Sequence, residues 1–307
     1  MREQVQSSPL EGPVLSVIVA CPERSNDLAG FLEALTGQVK DECIEIIVAG
    51  CQPSDIQQSI AEKHPDVALI QFPENTTLPV LFGAGISRST GQVIALTDAA
   101  CKLSKHWIGA ILEAHNAPAP IIGGAVEMNG ISRLVDWAAY FCEYGQFMLP
   151  MKEGPAAEIP GNNLSFKRWL LSKGKEYTQD GFWKTYWCRK LQAEGIELEL
   201  RPSVVVYYSK SFELLPFLVR RFHHGRCFSG MRLRRSSFSK SAVFAAGSIL
   251  LPFVFLMRTI LRVIPKKRHL LEFTLSLPIT MLAILFWSAG EFCGYLTGTG
   301  KSCAHVV

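Results

Sequence analysis

Up to about Tyr208 the apolar positions fall in short runs separated by polar turns. Residues 14–20 are a β-branched run bounded by Pro13 and Pro22, the composition of a strand buried on both faces of a parallel sheet. After Asn26, Leu28, Phe31, Leu32 and Leu35 recur at helical spacing. The pattern then repeats as a strand over 44–49, a polar turn through 52–55, a helix to about His64 and a third strand over 67–72. A helix of small residues around 83–89 precedes a fourth buried strand at 93–96, and 121–126 predicts another. Residues 136–147 form an aromatic-rich helix or lid. Alternating units of this length predict an α/β fold with a doubly wound, mostly parallel sheet, binding ligands beyond the carboxyl ends of its strands.

The last third differs. Residues 212–228 mix Phe212, Leu214, Leu215, Phe217, Leu218 and Phe222 with arginines and histidines, as in a helix lying in a membrane interface. Residues 241–257 and 273–290 hold no charged side chain, and each is close to the minimum length that spans a hydrocarbon core of about 30 Å. A buried helix hairpin in a soluble protein is the alternative, although two such runs are rare in cores. The expected organisation is a polar tail at 1–12, an α/β domain at 13–210, a basic interfacial segment at 211–240, two apolar helices within 241–297 and a tail at 298–307. Basic residues flank the first apolar run on both sides, with 262–268 as the connection, and the positive-inside preference would retain both flanks in the cytosol. A re-entrant first segment, helped by Pro252 and with Arg258 reaching to the surface, satisfies that preference; a two-pass hairpin is the simpler topology.

Composition narrows the class. With 307 residues, 48% hydrophobic and 19% charged, the chain can bury one large core or a core plus a membrane segment. Its polar start lacks the basic and apolar regions of a secretion signal, so the first domain is expected in the cytosol. The nine cysteines show no C-x-x-C pair or zinc-type histidine pattern, and most are expected to be buried thiols in a reducing compartment. The net charge of +4 is concentrated at Arg220, Arg221, Arg226, Arg232, Arg234, Arg235 and Lys240, ahead of the first apolar run. That placement suits anionic headgroups on the cytoplasmic side of a bilayer. No reader motif or aromatic platform accompanies it, so nucleic acid is not an expected partner.

Two segments carry candidate chemistry. Thr97 and Asp98 close the fourth strand, where this fold binds ligands, and Asp98 either faces a ligand or caps a turn. In the stretch 158–168, Gly161 allows a tight turn while Asn162 and Asn163 offer donors and acceptors suited to a sugar. A plain helix start capped by Asn163 or Ser165 is the other reading.

Taken in order, these pieces resemble the family 2 glycosyltransferases, whose fold is the GT-A type. The matches are Leu15 to Val19, Glu45 to Val48, Thr90 to Asp98, Gly161 to Arg168, Gly181-Phe182-Trp183 with Cys188 to Gly195, and Arg201-Pro202 before a strand, over roughly residues 14–230. The tail, through Arg221 to Arg226 and Trp287 to Leu296, is similar to a subgroup with C-terminal membrane helices. The resemblance implies a nucleotide-sugar donor, a divalent metal (Mn²⁺ or Mg²⁺) held at Asp98, and a carboxylate that deprotonates the acceptor hydroxyl. Donor contacts are then expected at Ala20, Pro22, Glu23, Gly50, Thr97, Asp98, Arg221 and Arg226, and acceptor contacts at Gly161, Asn162, Asn163 and Trp183.

The sequence departs from the family at three places. Gly50 stands where a base-contacting aspartate is usual, Ala99 and Ala100 follow Asp98 where a second acid is usual, and Trp183 and Lys184 fall near the usual acidic base. Asp180 could supply a carboxylate or sit on a solvated turn, Lys184 could pair with a donor phosphate or lie on a polar helix face, and Glu127 could face the cleft. Asp98, Asp180 and Lys184 are the candidate catalytic residues. Arg220, Arg221, His223, His224 and Arg226 suit either the diphosphate or lipid headgroups. The expected function is sugar transfer at the cytoplasmic membrane face, to an acceptor such as a lipid or lipid-linked glycan. The alternative is a catalytically inactive relative that binds a nucleotide sugar or a partner enzyme. Two apolar runs without an intramembrane polar pathway argue against transport.

Overall fold

The computed structural model describes residues 12–22, 28–39, 43–130, 133–233 and 238–306. Glu23 and Asn26, as well as Arg234 and Arg235, lie outside them. Three βα units open the chain: β1 (Leu15–Cys21) with α1 (Leu28–Thr36), β2 (Ile44–Gly50) with α2 (Ser54–Lys63), and β3 (Val67–Gln71) with α3 (Leu78–Arg88). β4 (Val93–Asp98) pairs with β1, so these four strands run parallel in the order β3-β2-β1-β4. Successive β1 side chains point to opposite faces. Leu15, Val17 and Val19 meet Leu28, Leu32 and Leu35 of α1 in one core, whereas Ile18 and Ala20 meet Leu81 and Ile86 of α3 in the other. Both faces are therefore dry, which is why β1 is a continuous apolar run.

The second half is mixed, with one parallel pair among antiparallel ones. It comprises β5 (Cys101–Leu103), α4 (Trp107–His115), β6 (Ile121–Met128), α5 (Leu134–Glu143), β7 (Gly154–Ala156), β8 (Asn163–Lys167), α6 (Lys184–Ala193) and β9 (Leu198–Tyr208). The sheet continues from β4 as β8-β6-β9-β5, and β7 pairs with β9. The expected helix start at Asn163 or Ser165 is instead β8, antiparallel to β4. Alternation explains it: Leu164 and Phe166 enter the core with Phe182 and Trp187, while Ser165 meets His115 on the other side.

Four helices follow: α7 (Leu214–Arg232), α8 (Phe238–Gly247), α9 (Leu251–Val263) and α10 (Leu270–Thr297). Ser239–Lys266 and Leu270–Thr297, 28 residues each, are long and apolar enough to cross a membrane. α7 lies against α10 with small residues at the contact. A Cβ on Gly290 would fall 2.1 Å from Phe222 O, and one on Gly294 2.4 Å from Arg226 O. Close backbone approach of this kind needs small side chains. Cys227 of α7 is disulfide-bonded to Cys303 in the last turn, which departs from the expected reducing compartment, whereas Cys21, Cys51, Cys101 and Cys188 are buried outside any disulfide.

Candidate active site

The carboxyl ends of the parallel strands meet along one edge. Register sets Ala20 beside Ala49 and Asp98, and Cys21 beside Gly50. Gly50 is dictated by crowding, because a Cβ there would lie 2.7 Å from Cys21 O. Asp98 ends β4, and its Oδ1 accepts a hydrogen bond from Ala100 N at 2.9 Å, so it closes a turn and also lines a cavity of about 530 Å³. Burial raises its carboxyl above the usual range, against the pull of the Lys210 charge.

The cavity is closed by the C-terminal helices. Its walls come from Asp98, from Glu143 at the end of α5, from residues 157–162, from the start of α6, and from facing side chains of α7, α9 and α10. Of the expected residues, Asp98, Gly161, Asn162, Trp183, Lys184 and Arg221 lie on this wall. Lys184 is deeply placed: its Nζ donates to Ile159 O at 2.7 Å, and burial lowers its pKa. The buried Asn162 donates to Cys101 Sγ at 3.2 Å, while its Oδ1 has no protein partner.

Other expected residues fall elsewhere. Ala20 and Thr97 are fully buried within their strands, and Gly50 and the half-buried Pro22 do not line the cavity. Asn163 serves the fold, since its Oδ1 accepts from Trp107 Nε1 at 2.9 Å and its Nδ2 donates to Ala125 O and Val204 O. Arg226 turns to Gly298 O and Thr297 Oγ1. Asp180 is exposed on the turn before Gly181 and does not reach the wall. Glu127 is buried against Leu149 N and Arg268 rather than open to the cleft.

Four carboxylates line the cavity: Asp98, Glu143, Glu158 and Glu291. Glu291 accepts from Trp287 Nε1 at 2.8 Å and from Tyr295 OH at 2.7 Å. Glu158 meets Arg258 at 2.7 Å and Arg262 at 3.4 Å; against the upward effect of burial, Gln146 and these arginines hold it down at about 2. Asp98 and Glu143 have lighter ties, Glu143 reaching Arg221 at 3.5 Å. Glu143 had no sequence signal, because its place at the wall comes from α5 packing beside β6 and α10.

The nitrogen-bearing side chains are equally specific. Arg221 is buried, and its Nε and the Nε2 of His224 have no protein partner although both residues face the cavity. Burial, then the Arg221 and Arg220 charges, hold His224 well below its ordinary pKa. Orphaned buried polar nitrogens at a cavity wall are satisfied by a polar ligand. A resident metal is a poorer fit: Asp98 offers one carboxylate, already holding Ala100 N, and among the described residues no three His, Cys, Asp or Glu side chains gather.

The fold is shared with a solved structure. Mannosyltransferase PcManGT from Pyrobaculum calidifontis, in complex with GDP-Man and Mn²⁺, superposes with a TM-score of 0.55 at 16% identity, covering 95% of this chain and 90% of that one. GalNAc-T7 with UDP, GalNAc and Mn²⁺ is more distant, with a TM-score of 0.47 at 11% identity, covering 66% of this chain and 44% of that one. No curated protein matches the sequence. Residues 16–170, more than half of the chain, match glycosyl transferase family 2. With that match and the cleft at the end of β4, the chain belongs to glycosyl transferase family 2 and is a glycosyltransferase.

Proposed function

We propose that the protein transfers a sugar from a nucleotide-sugar donor to an acceptor presented at the cytoplasmic face of a membrane. One observation carries this reading: Asp98 shares a cavity of about 530 Å³ with Arg221 and His224, whose buried Nε and Nε2 lack protein partners. A donor diphosphate would satisfy those nitrogens. As the bond from the anomeric carbon to the phosphate breaks, negative charge grows on the leaving oxygen, and a fixed buried guanidinium offsets it without reorganising. Glu143 and Asp98 are the wall carboxylates least committed to other groups, and Glu143 is assigned as the base that takes the acceptor's proton. Gly161, Asn162 and Trp183 border the acceptor side, and Lys184 fixes the Ile159 carbonyl beside them.

The donor class is taken from the mannosyltransferase complex with GDP-Man and Mn²⁺. Mn²⁺ or Mg²⁺ enters it only as an ion carried with the donor, and no step depends on it. The apolar α9 and α10 surfaces favour a lipid or lipid-linked glycan as acceptor. The absence of an acid at Ala99 and Ala100 favours a second reading, a silent relative that binds donor without turnover. Transfer from a panel of UDP- and GDP-sugars, with and without Mn²⁺, separates the two. Turnover that falls by orders of magnitude in Asp98→Asn supports the enzyme; equal rates in both proteins would remove Asp98 from the chemistry.

A further inference from the structure

We infer that α9 and α10 do not cross the bilayer. They lie along the catalytic domain and enter one leaflet, leaving the connection at residues 264–269 on the domain's own side of the membrane. The inference rests on the membrane placement proposed above.

The connection is bound to the domain. Lys266 Nζ donates to Met148 O and, at 3.0 Å, to Pro150 O; Arg268 donates to Leu149 O at 3.1 Å and meets the buried Glu127 at 2.9 Å. The His269 ring lies 4.8 Å from that of Trp137, and Phe273 stands edge-on to Phe141 at 5.0 Å. In a two-pass hairpin this same connection would lie on the far side of a hydrocarbon core about 30 Å thick.

The other end of α10 is held too. Gly290 and Gly294 press on α7, and Arg232 of α7 meets Glu291 at 3.3 Å. α7 is itself seated on the domain, through Arg221 with Glu143 at 3.5 Å and Phe228 stacked on Tyr186 at 5.7 Å. A 28-residue helix is about 42 Å long. Crossing would carry one end of α10 away from the body that both ends touch. The middle of the first apolar helix is fixed likewise, by Arg258 and Arg262 on Glu158.

The outward face fits a single leaflet. Phe253, Val254, Met257 and Leu261 of α9 and Leu271 and Leu275 of α10 are exposed, with Phe253 at 74%. Lys267, exposed in the connection that follows α9, offers a cation to anionic headgroups. The arrangement also explains basic residues on both flanks of the first apolar run, since both flanks stay on one side.

The test uses Lys267→Cys in sealed vesicles whose outer face carries the catalytic domain, with a membrane-impermeant maleimide. The native exposed Cys43 reports the domain's side in the same molecule. Labelling at position 267 before detergent, in a ratio near one to Cys43, supports the inference. Labelling of Cys43 alone until detergent is added overturns it. Recovery as a soluble dimer also overturns it, by giving the apolar face to a second copy. Should the substitution disturb folding, a protease site inserted after Lys267 in a chain with an amino-terminal epitope gives an independent reading: cleavage without detergent supports, and protection overturns. Donor binding, titrated on the same vesicles, tests the transferase reading separately, because its failure leaves the labelling result intact.

Discussion

The guanidinium carbon of Arg221 lies 4.3 Å from the centroid of the Trp287 ring. One side chain comes from α7 and the other from α10, so the apolar helix orients a cation at the cleft. A planar guanidinium stacks on the indole and still presents N–H groups in a fixed fork, whereas an ammonium offers neither property. Arg221→Lys is therefore expected to weaken donor affinity by about tenfold or more even though the charge is kept. Calorimetric titration of the donor checks this; an unchanged Kd would detach Arg221 from the diphosphate.

Glu143→Gln should lower the transfer rate by about 10²–10⁴-fold, the usual contribution of a general base, with donor affinity nearly unchanged. Asp180→Asn, at an exposed turn, should leave the rate alone. Single-turnover transfer compared across the two variants decides the assignment. A slow Asp180 variant beside a normal Glu143 variant would reverse it.

The parallel half of the fold was legible because its strands are mostly apolar runs, β1 and β4 being buried on both faces. Residues 14–20, 44–49, 67–72 and 93–96 are short apolar runs, and they became β1 to β4. β8 was obscured because one of its faces is polar: Asn163 and Ser165 form buried hydrogen bonds, which in sequence look like cap or turn residues. Asp98 was readable from its position at a strand end. Glu143 and Trp287 were not, since they reach the cleft only through helix packing, which no local spacing encodes. Nor could spacing show that the connection at 264–269 rests on Leu149, 119 residues before Arg268, and on Glu127.

Asn163 separates a structural amide from a ligand-binding one. Its three hydrogen bonds tie β8 to α4, β6 and β9, and the site is tight, with a Cβ on Gly124 falling 2.1 Å from Asn163 Nδ2. Asn163→Ala strands a buried indole N–H and two carbonyls and should cost on the order of 3 kcal/mol. Thermal unfolding in detergent is expected to show the loss, while donor affinity of the folded fraction stays the same. Asn162→Ala should do the reverse, with small change in melting and weaker acceptor use, because its Oδ1 has no protein partner and it lines the cavity.

His115 makes stability depend on pH at a distance from the cleft. Its ring lies 2.9 Å from Ser165 Oγ, and burial, helped by the Lys167 charge, lowers its pKa from 6.5 to about 4. The native ring thus stays neutral where the unfolded one takes up a proton. The depressed pKa means the contribution is complete above 6.5 and is lost as pH falls from 6.5 towards 4, up to about 3 kcal/mol. Glu158, held at about 2, adds a loss of the same sign at lower pH, below the ordinary carboxylate range. His115→Gln removes only the first contribution. Between pH 6.5 and 4.5 its melting temperature should therefore fall less steeply than that of the wild type, and the two curves should run parallel above pH 7. Equal slopes in the acid window would show that His115 is protonated in the native state, and would place its ring in contact with solvent.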